Sequence, residues 1–168
     1  MMERSQRTGD AVQEIIAAYS GMVYRLAYAR TGNKADAEDV YQDVFFKLFR
    51  TDPQTDSEEH LKAWLIRTTI HTSVNLLRSA WRRYFRQMPD NFDAPDMSFT
   101  HDDRLSDLRN ALMKLPEKQR IVIHLYYYEQ LSTEEIAKIL GEKSSTVRSH
   151  MKRGRERLKS LLTETEVK

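Results

Sequence analysis

The sequence predicts an all-α protein: two small helical domains joined by an acidic flexible linker, the C-terminal one a helix-turn-helix. Three observations lead there. Apolar residues recur at three- and four-residue steps through both halves of the 168-residue chain. Five Gly and four Pro are few for the many turns of an all-β fold. From Gln87 to Arg104 the periodicity lapses in a strongly acidic stretch, QMPDNFDAPDMSFTHDDR, which holds both Pro89 and Pro95. Domains are therefore expected at residues 1–86 and 105–168, with 87–104 as the linker.

In the first half, Val12, Ile15, Ile16, Tyr19, Val23, Leu26 and Ala27 mark one helix, and Gly32 suits its C-terminal stop. Asn33 can cap a second, with Asp36, Glu38 and Asp39 near its positive end. Along that helix Val40, Val44 and Leu48 form one row and Tyr41, Phe45 and Phe49 the next, so Leu48 and Phe49 are expected in the core. Pro53 ends it. A third pattern starts near Ser57 and runs through Leu61, Trp64, Leu65 and Thr68 to Leu77 and a group of arginines, with Trp64 on the apolar side.

After the linker, Leu105, Leu108 and Leu112 resume the helical period, which stops at Leu115-Pro116. Ile121, Val122, Leu125 and Tyr126 define the next helix. Ser132 and Glu135 then make a capping box for a short helix with Ile136, Ala137, Ile139 and Leu140 as its apolar face, ended by Gly141. Ser144 or Ser145 can cap a following helix that turns Val147, Met151 and Leu158 inward. This is the layout of a helix-turn-helix, and Ala137 is small enough for the second helix to cross closely.

Composition removes several function classes. Without cysteine there is no disulfide framework, thiolate zinc site or Cys nucleophile. No apolar run approaches the roughly 18 residues of a membrane span, so direct membrane insertion is not expected. The charged N-terminus MMERSQRTGD is no secretory signal, and a cytoplasmic location follows. No catalytic constellation, cofactor motif or metal spacing stands out, and His101-Asp102-Asp103 reads as a solvated run.

The formal net charge of +2 conceals strong segregation. Residues 64–86 carry five Arg and no acid, and residues 143–159 carry seven basic groups against Glu156 alone. Residues 33–63 and 87–110 are each net −4. Two cationic blocks in an otherwise acidic chain suggest two contact points for a polyanion. In the second block Arg148, Ser149, Lys152, Arg153 and Arg155 bring donors to the exposed side of the second helix of the pair. Helix-turn-helix proteins set the early part of that helix in the major groove, where Arg pairs with guanine edges.

The chain resembles an extracytoplasmic-function (group 4) sigma factor of bacterial RNA polymerase, in the sigma-70 superfamily. DAEDVYQDVFFKLFR (36–50) is similar to region 2.2, WLIRTTIHTSVNLLRSAWRR (64–83) to regions 2.3 and 2.4, and LPEKQRIVIHLYYYEQLSTEEIAKILGEKSSTVRSHMKRGRERL (115–158) to region 4. The resemblance implies that core RNA polymerase, promoter DNA and an anti-sigma factor are the partners. It implies that Asp39, Gln42, Asp43 and Phe46 meet the clamp helices of the β′ subunit, and that region 4 also meets the β flap. It implies that Arg67, His71, Arg78, Trp81, Arg82 and Arg83 hold the −10 element, with Trp81 and Tyr84 either stacking on bases or anchoring the core edge. Arg148, Ser149, Lys152, Arg153 and Arg155 would then read the −35 element. The acidic linker would pass near the RNA path.

Three features depart from the family pattern. His71 replaces the frequent Asn four residues after the Arg of WLxR; TDPQTDSEEHLKA before Trp64 is unusually acidic, leaving His60 and Lys62 as weak candidates for base capture. The turn before the last helix reads Glu142, Lys143, Ser144, Ser145 instead of a hydrophobic residue, Ser or Pro, any residue and Gly. A second reading is a stand-alone helix-turn-helix regulator with an N-terminal sensing or dimerisation domain, against which the Arg cluster of the first half argues.

Overall fold

The computed structural model describes the backbone of residues 9–87 and 103–166, and the side chains of 9–79 and 107–164. Every regular element among the described residues is a helix, and the chain divides into two units, Met1–Gln87 and Met88–Lys168. Most of the expected linker, residues 88–102, lies outside the described residues, including His101 and Asp102.

The first unit packs α1 (Gly9–Thr31), α2 (Lys34–Thr51) and α3 (Glu58–Gln87). Gly32 adopts φ 78°, a left-handed conformation that glycine reaches without a Cβ clash, and the chain reverses there. Asn33 then caps α2: its Oδ1 accepts from the Asp36 amide at 2.9 Å while its Nδ2 donates to the Asp36 carboxylate at 2.8 Å. Val23, Leu26 and Ala27 of α1, Ala37, Val40, Val44 and Leu48 of α2, and Leu65 and Ile66 of α3 form the buried centre. Each large aliphatic side chain there contributes about 1.5–3 kcal/mol.

One expected core residue leaves that centre. Phe45 is buried, but Phe49 is 64% exposed. Each four-residue step on a helix advances about 40° around the axis, so the Tyr41–Phe45–Phe49 row rotates away from the core by its third member. Trp64 is half-buried. Left-handed Asp52 terminates α2 just before Pro53, and its amide donates to the Leu48 carbonyl. Ser57 caps α3, its hydroxyl accepting from the His60 amide at 3.2 Å. Buried Thr69 and Ser73 return their hydroxyl protons to carbonyls four residues back, both at 2.7 Å. Lys47 of α2 donates to the Thr72 hydroxyl at 3.0 Å, tying α2 to the middle of α3.

The second unit contains α4 (Asp103–Met113), α5 (Glu117–Tyr127), α6 (Thr133–Leu140) and α7 (Ser144–Glu166). Asp103 and Arg104, expected in the linker, already belong to α4. Pro116 occupies the cap position of α5, where its missing N–H costs nothing. Between α5 and α6, Leu131 donates to the Leu125 carbonyl at 3.1 Å around Gln130, whose φ is 55°. Beside this turn the buried His124 Nε2 lies 3.6 Å from a Glu129 carboxylate oxygen, and its ring stacks on Tyr128.

Ser132 and Glu135 form both halves of the capping box at the start of α6. Left-handed Gly141 ends the helix, and the Glu142 amide closes the turn on the Ala137 carbonyl at 2.9 Å. The cap of α7 differs from expectation. Thr146 and Val147 donate to the Lys143 carbonyl, so Lys143 stands at the cap and Ser144 is already helical. Where α7 crosses α5, Gly154 is buried, and a Cβ there would come within 2.6 Å of Ile123 Cδ1. Ile121, Val122, Leu125, Ile136, Ala137, Val147 and Met151 fill the core between α5, α6 and α7, with Leu158 half-buried.

Candidate nucleic-acid interface

Helix α7 has two sides. Val147 and Met151 face the core, whereas Arg148, Ser149, Lys152, Arg153 and Arg155 are all exposed. Spacings of four and three set Arg148, Lys152 and Arg155 in one stripe, with Ser149 and Arg153 beside it. Arg148 Nη1 lies 3.9 Å from a Glu134 carboxylate oxygen of α6, both groups well exposed. An exposed pair of this kind holds the arginine by less than about 1 kcal/mol, so a nucleic-acid ligand displaces it easily.

Arg155 is held differently. Its Nε donates to the Tyr127 hydroxyl at 2.8 Å, and its guanidinium carbon sits 5.5 Å from the ring centroids of both Tyr126 and Tyr127. The unusual turn has charged and polar neighbours. The half-buried Glu142 carboxylate lies 3.6 Å from Lys118 Nζ and 3.9 Å from His150 Nε2. Polar neighbours on α5 and α7 thus stand where an apolar turn residue would pack, and the buried Glu142 Oε2 makes no hydrogen bond to either.

On α3, Arg67, His71 and Arg78 are exposed and recur at spacings of four and seven, which makes one stripe. Exposed Asn75 stands on the same stripe, one turn beyond His71, and was not singled out from the sequence. The Lys47–Thr72 bond fixes the helix immediately beside His71. Trp81, Arg82, Arg83 and Tyr84 continue α3, but their side chains lie outside the described residues. His60 is exposed and Lys62 half-buried at the start of α3. Burial, together with the nearby Glu58 carboxylate, pushes the Tyr19 phenol above its ordinary pKa.

The outer side of α2 brings Asp39, Gln42, Asp43 and Phe46 together, all exposed. Asp36 does not join them, since its carboxylate is engaged by Asn33. Phe49 does, at the three-residue step beyond Phe46, and Phe46 itself is 61% exposed. Two phenyl rings in water beside two carboxylates form an exposed apolar patch of the kind that marks interaction surfaces. The 40° drift was the signal that could have placed Phe49 here. In the second unit an open apolar groove is lined by Leu108, Leu112, Ile123, Tyr127, Leu158 and Leu162. Among the described residues no cluster of His, Asp and Glu could hold a metal, and no helix is long and apolar enough to cross a membrane.

Comparison with known proteins matches both units in order. The family profile described as Sigma-70 region 2 covers residues 15–83, and that described as Sigma-70, region 4 covers residues 105–158. The ECF RNA polymerase sigma factor SigE of Mycolicibacterium smegmatis is 36% identical over 157 residues, spanning 89% of this chain and 60% of that protein. RNA polymerase sigma factor SigV of Bacillus subtilis is 28% identical, with 99% of each chain covered. Among solved structures, the sigma factor RpoE of Bartonella quintana, in complex with the anti-sigma factor NepR, shares the fold with a TM-score of 0.72 at 24% identity, covering 90% of this chain and 96% of that one. CnrH, in complex with the cytosolic domain of CnrY, gives 0.70 at 24% identity, covering 94% and 90%.

Proposed function

Since the chain belongs to the sigma-70 family, as an extracytoplasmic-function sigma factor that directs transcription initiation, we propose that its two units divide promoter recognition. Helix α7 reads the −35 element as duplex: Arg148 and Ser149, at its start, reach base edges, and Lys152, Arg153 and Arg155 follow along the groove and backbone. The α3 stripe of Arg67, His71 and Arg78, together with Trp81, Arg82 and Arg83 further along the helix, holds the opened −10 element through phosphate charge and base stacking. The outer face of α2 docks on the β′ clamp helices through Asp39, Gln42, Asp43 and Phe46, to which we add Phe49. The aliphatic part of the second unit's groove, Leu108, Leu112 and Leu162, offers the β flap its surface, and Tyr127 and Arg155 at its margin are left to DNA. The chain contributes specificity to polymerase, not chemistry.

The observation that carries this reading is the succession of the two sigma-70 regions on two helical units, each with an exposed basic face. It replaces the stand-alone regulator, because the N-terminal half matches region 2 where a sensing or dimerisation domain was the alternative. An anti-sigma factor is a further expected partner: RpoE is solved in complex with the anti-sigma factor NepR and CnrH with the cytosolic domain of CnrY, which supports that expectation. The test mixes the protein with core RNA polymerase and genomic fragments and maps transcript 5′ ends. Defined start sites that require the protein, sharing two upstream elements, are expected. Failure to bind core polymerase would sink the reading.

A further inference from the structure

We propose that Tyr127 is a positioning residue of the −35 interface, holding the Arg155 guanidinium so that it meets a DNA backbone phosphate and not a base edge. The proposal rests on the assignment of α7 to the −35 element.

Arg155 stands seven residues beyond Arg148 on the same stripe, about 10 Å further along the helix axis. A recognition helix meets base edges with its first turns, so a side chain that far along lies over the flanking backbone. An exposed arginine ordinarily samples many rotamers. This one is fixed by three contacts, the 2.8 Å bond from Nε to the Tyr127 hydroxyl and the 5.5 Å approaches to two rings. The rings brace one another, edge to face, with centroids 5.1 Å apart. Both tyrosines are exposed, so the arrangement is a surface device and not part of the core.

The chemistry of the held group suits a phosphate. With Nε committed to Tyr127, the two terminal amino groups remain, and their spacing matches two oxygens of one phosphate. Both ring faces favour the cation without neutralising it. Because the rotamer is selected in the free protein, the ordering cost on binding DNA falls. Arg148, by contrast, is held only by an exposed carboxylate and is free to search base edges.

The test uses holoenzyme formed from the full chain on a promoter with an intact −35 element, and on single-base variants of it, across a range of salt. Arg155→Ala should weaken binding about tenfold on every variant alike and reduce the salt slope by about one. Tyr127→Phe keeps the ring and the fold and should cost about threefold, again without changing base preference. In the Arg155→Ala background Tyr127→Phe should have no further effect. An undiminished Tyr127→Phe effect there would show the hydroxyl acting by itself and overturn the proposal. A change of base preference in Arg155→Ala would do the same by making Arg155 a base reader. Arg148→Ala serves as the control: if it leaves base preference untouched, the assignment of α7 itself fails, an outcome separate from the other two.

Discussion

The outer faces of α2 and α7 share one construction and opposite chemistry. Each helix buries an aliphatic row, Val40, Val44 and Leu48 in α2, Val147 and Met151 in α7, and turns its other side to water. On α7 that side is cationic and braced, with Arg148 beside Glu134 and Arg155 against Tyr127. On α2 it presents two phenyl rings, 61% and 64% exposed, among carboxylates. A face of arginines loses its hold on a polyanion as salt displaces it. A face of exposed phenyls among carboxylates binds in large part through area removed from water, so salt weakens it less, acting only on the Asp39 and Asp43 contacts. On the proposed reading one surface takes nucleic acid and the other protein, and salt should weaken the first more steeply than the second.

The largest expected effect breaks the α2 face. Removing Phe46 and Phe49 together, each to Ala, should cost about 2 kcal/mol per ring in binding core polymerase, several hundredfold for the pair. Both rings are already in solvent, so the melting temperature should hardly move. Titration of labelled protein with core enzyme, beside a thermal melt, checks this. Wild-type affinity in the double variant would remove Phe49 from the interface, and Phe46 with it.

Next comes Arg148. Its truncation to Ala should cost about 1–3 kcal/mol of discrimination at one −35 position, with core binding unchanged. Raising salt should weaken the contribution of α7 to promoter binding more steeply than the α2 contact, where only Asp39 and Asp43 are charged. Equal salt slopes for promoter and core binding would erase the distinction between the faces.

How legible these faces were in the sequence follows from their chemistry. The cationic face of α7 was visible because charge is depleted of acids over 143–159, and because Ser132, Glu135 and Gly141 fix the preceding helix locally. The family resemblance, and not the spacing, brought Asp39, Gln42, Asp43 and Phe46 together. Phe49 was hidden because an aromatic at a four-residue step reads equally as core, and only the rotation of the row decides. Tyr127 was hidden for another reason. Its partner is 28 residues away in α7, and no local pattern records a contact made by two helices crossing. Glu142 departs from the apolar turn residue, and only the structure shows that Lys118 and His150, far from it in sequence or across the turn, are its neighbours.

A smaller effect tests how far α7 depends on its scaffold. Ser132→Ala removes one half of the capping box and should destabilise the second unit by about 1 kcal/mol. For a unit of this size that lowers its melting temperature by about 4–8 °C. Near the new midpoint promoter binding should fall while the α2 face still binds core polymerase. Simultaneous loss of both activities would mean that the two faces are not supported independently.

The smallest effect runs the other way and compares the two left-handed non-glycine residues, Gln130 at φ 55° and Asp52 at φ 42°. A side chain in this region crowds its own carbonyl at a cost of about 1 kcal/mol. Asp is tolerated there, since its short carboxylate bonds to nearby backbone, but the longer Gln gains no such relief. Gln130→Gly should therefore stabilise the second unit by about 0.5 kcal/mol, the relief of strain being partly offset by the extra freedom glycine gives the unfolded chain. Asp52→Gly should gain less or lose stability in the first unit. Thermal melts of both variants decide it: a larger gain at Asp52 would mean that the left-handed backbone at Gln130 stores no more strain than that at Asp52.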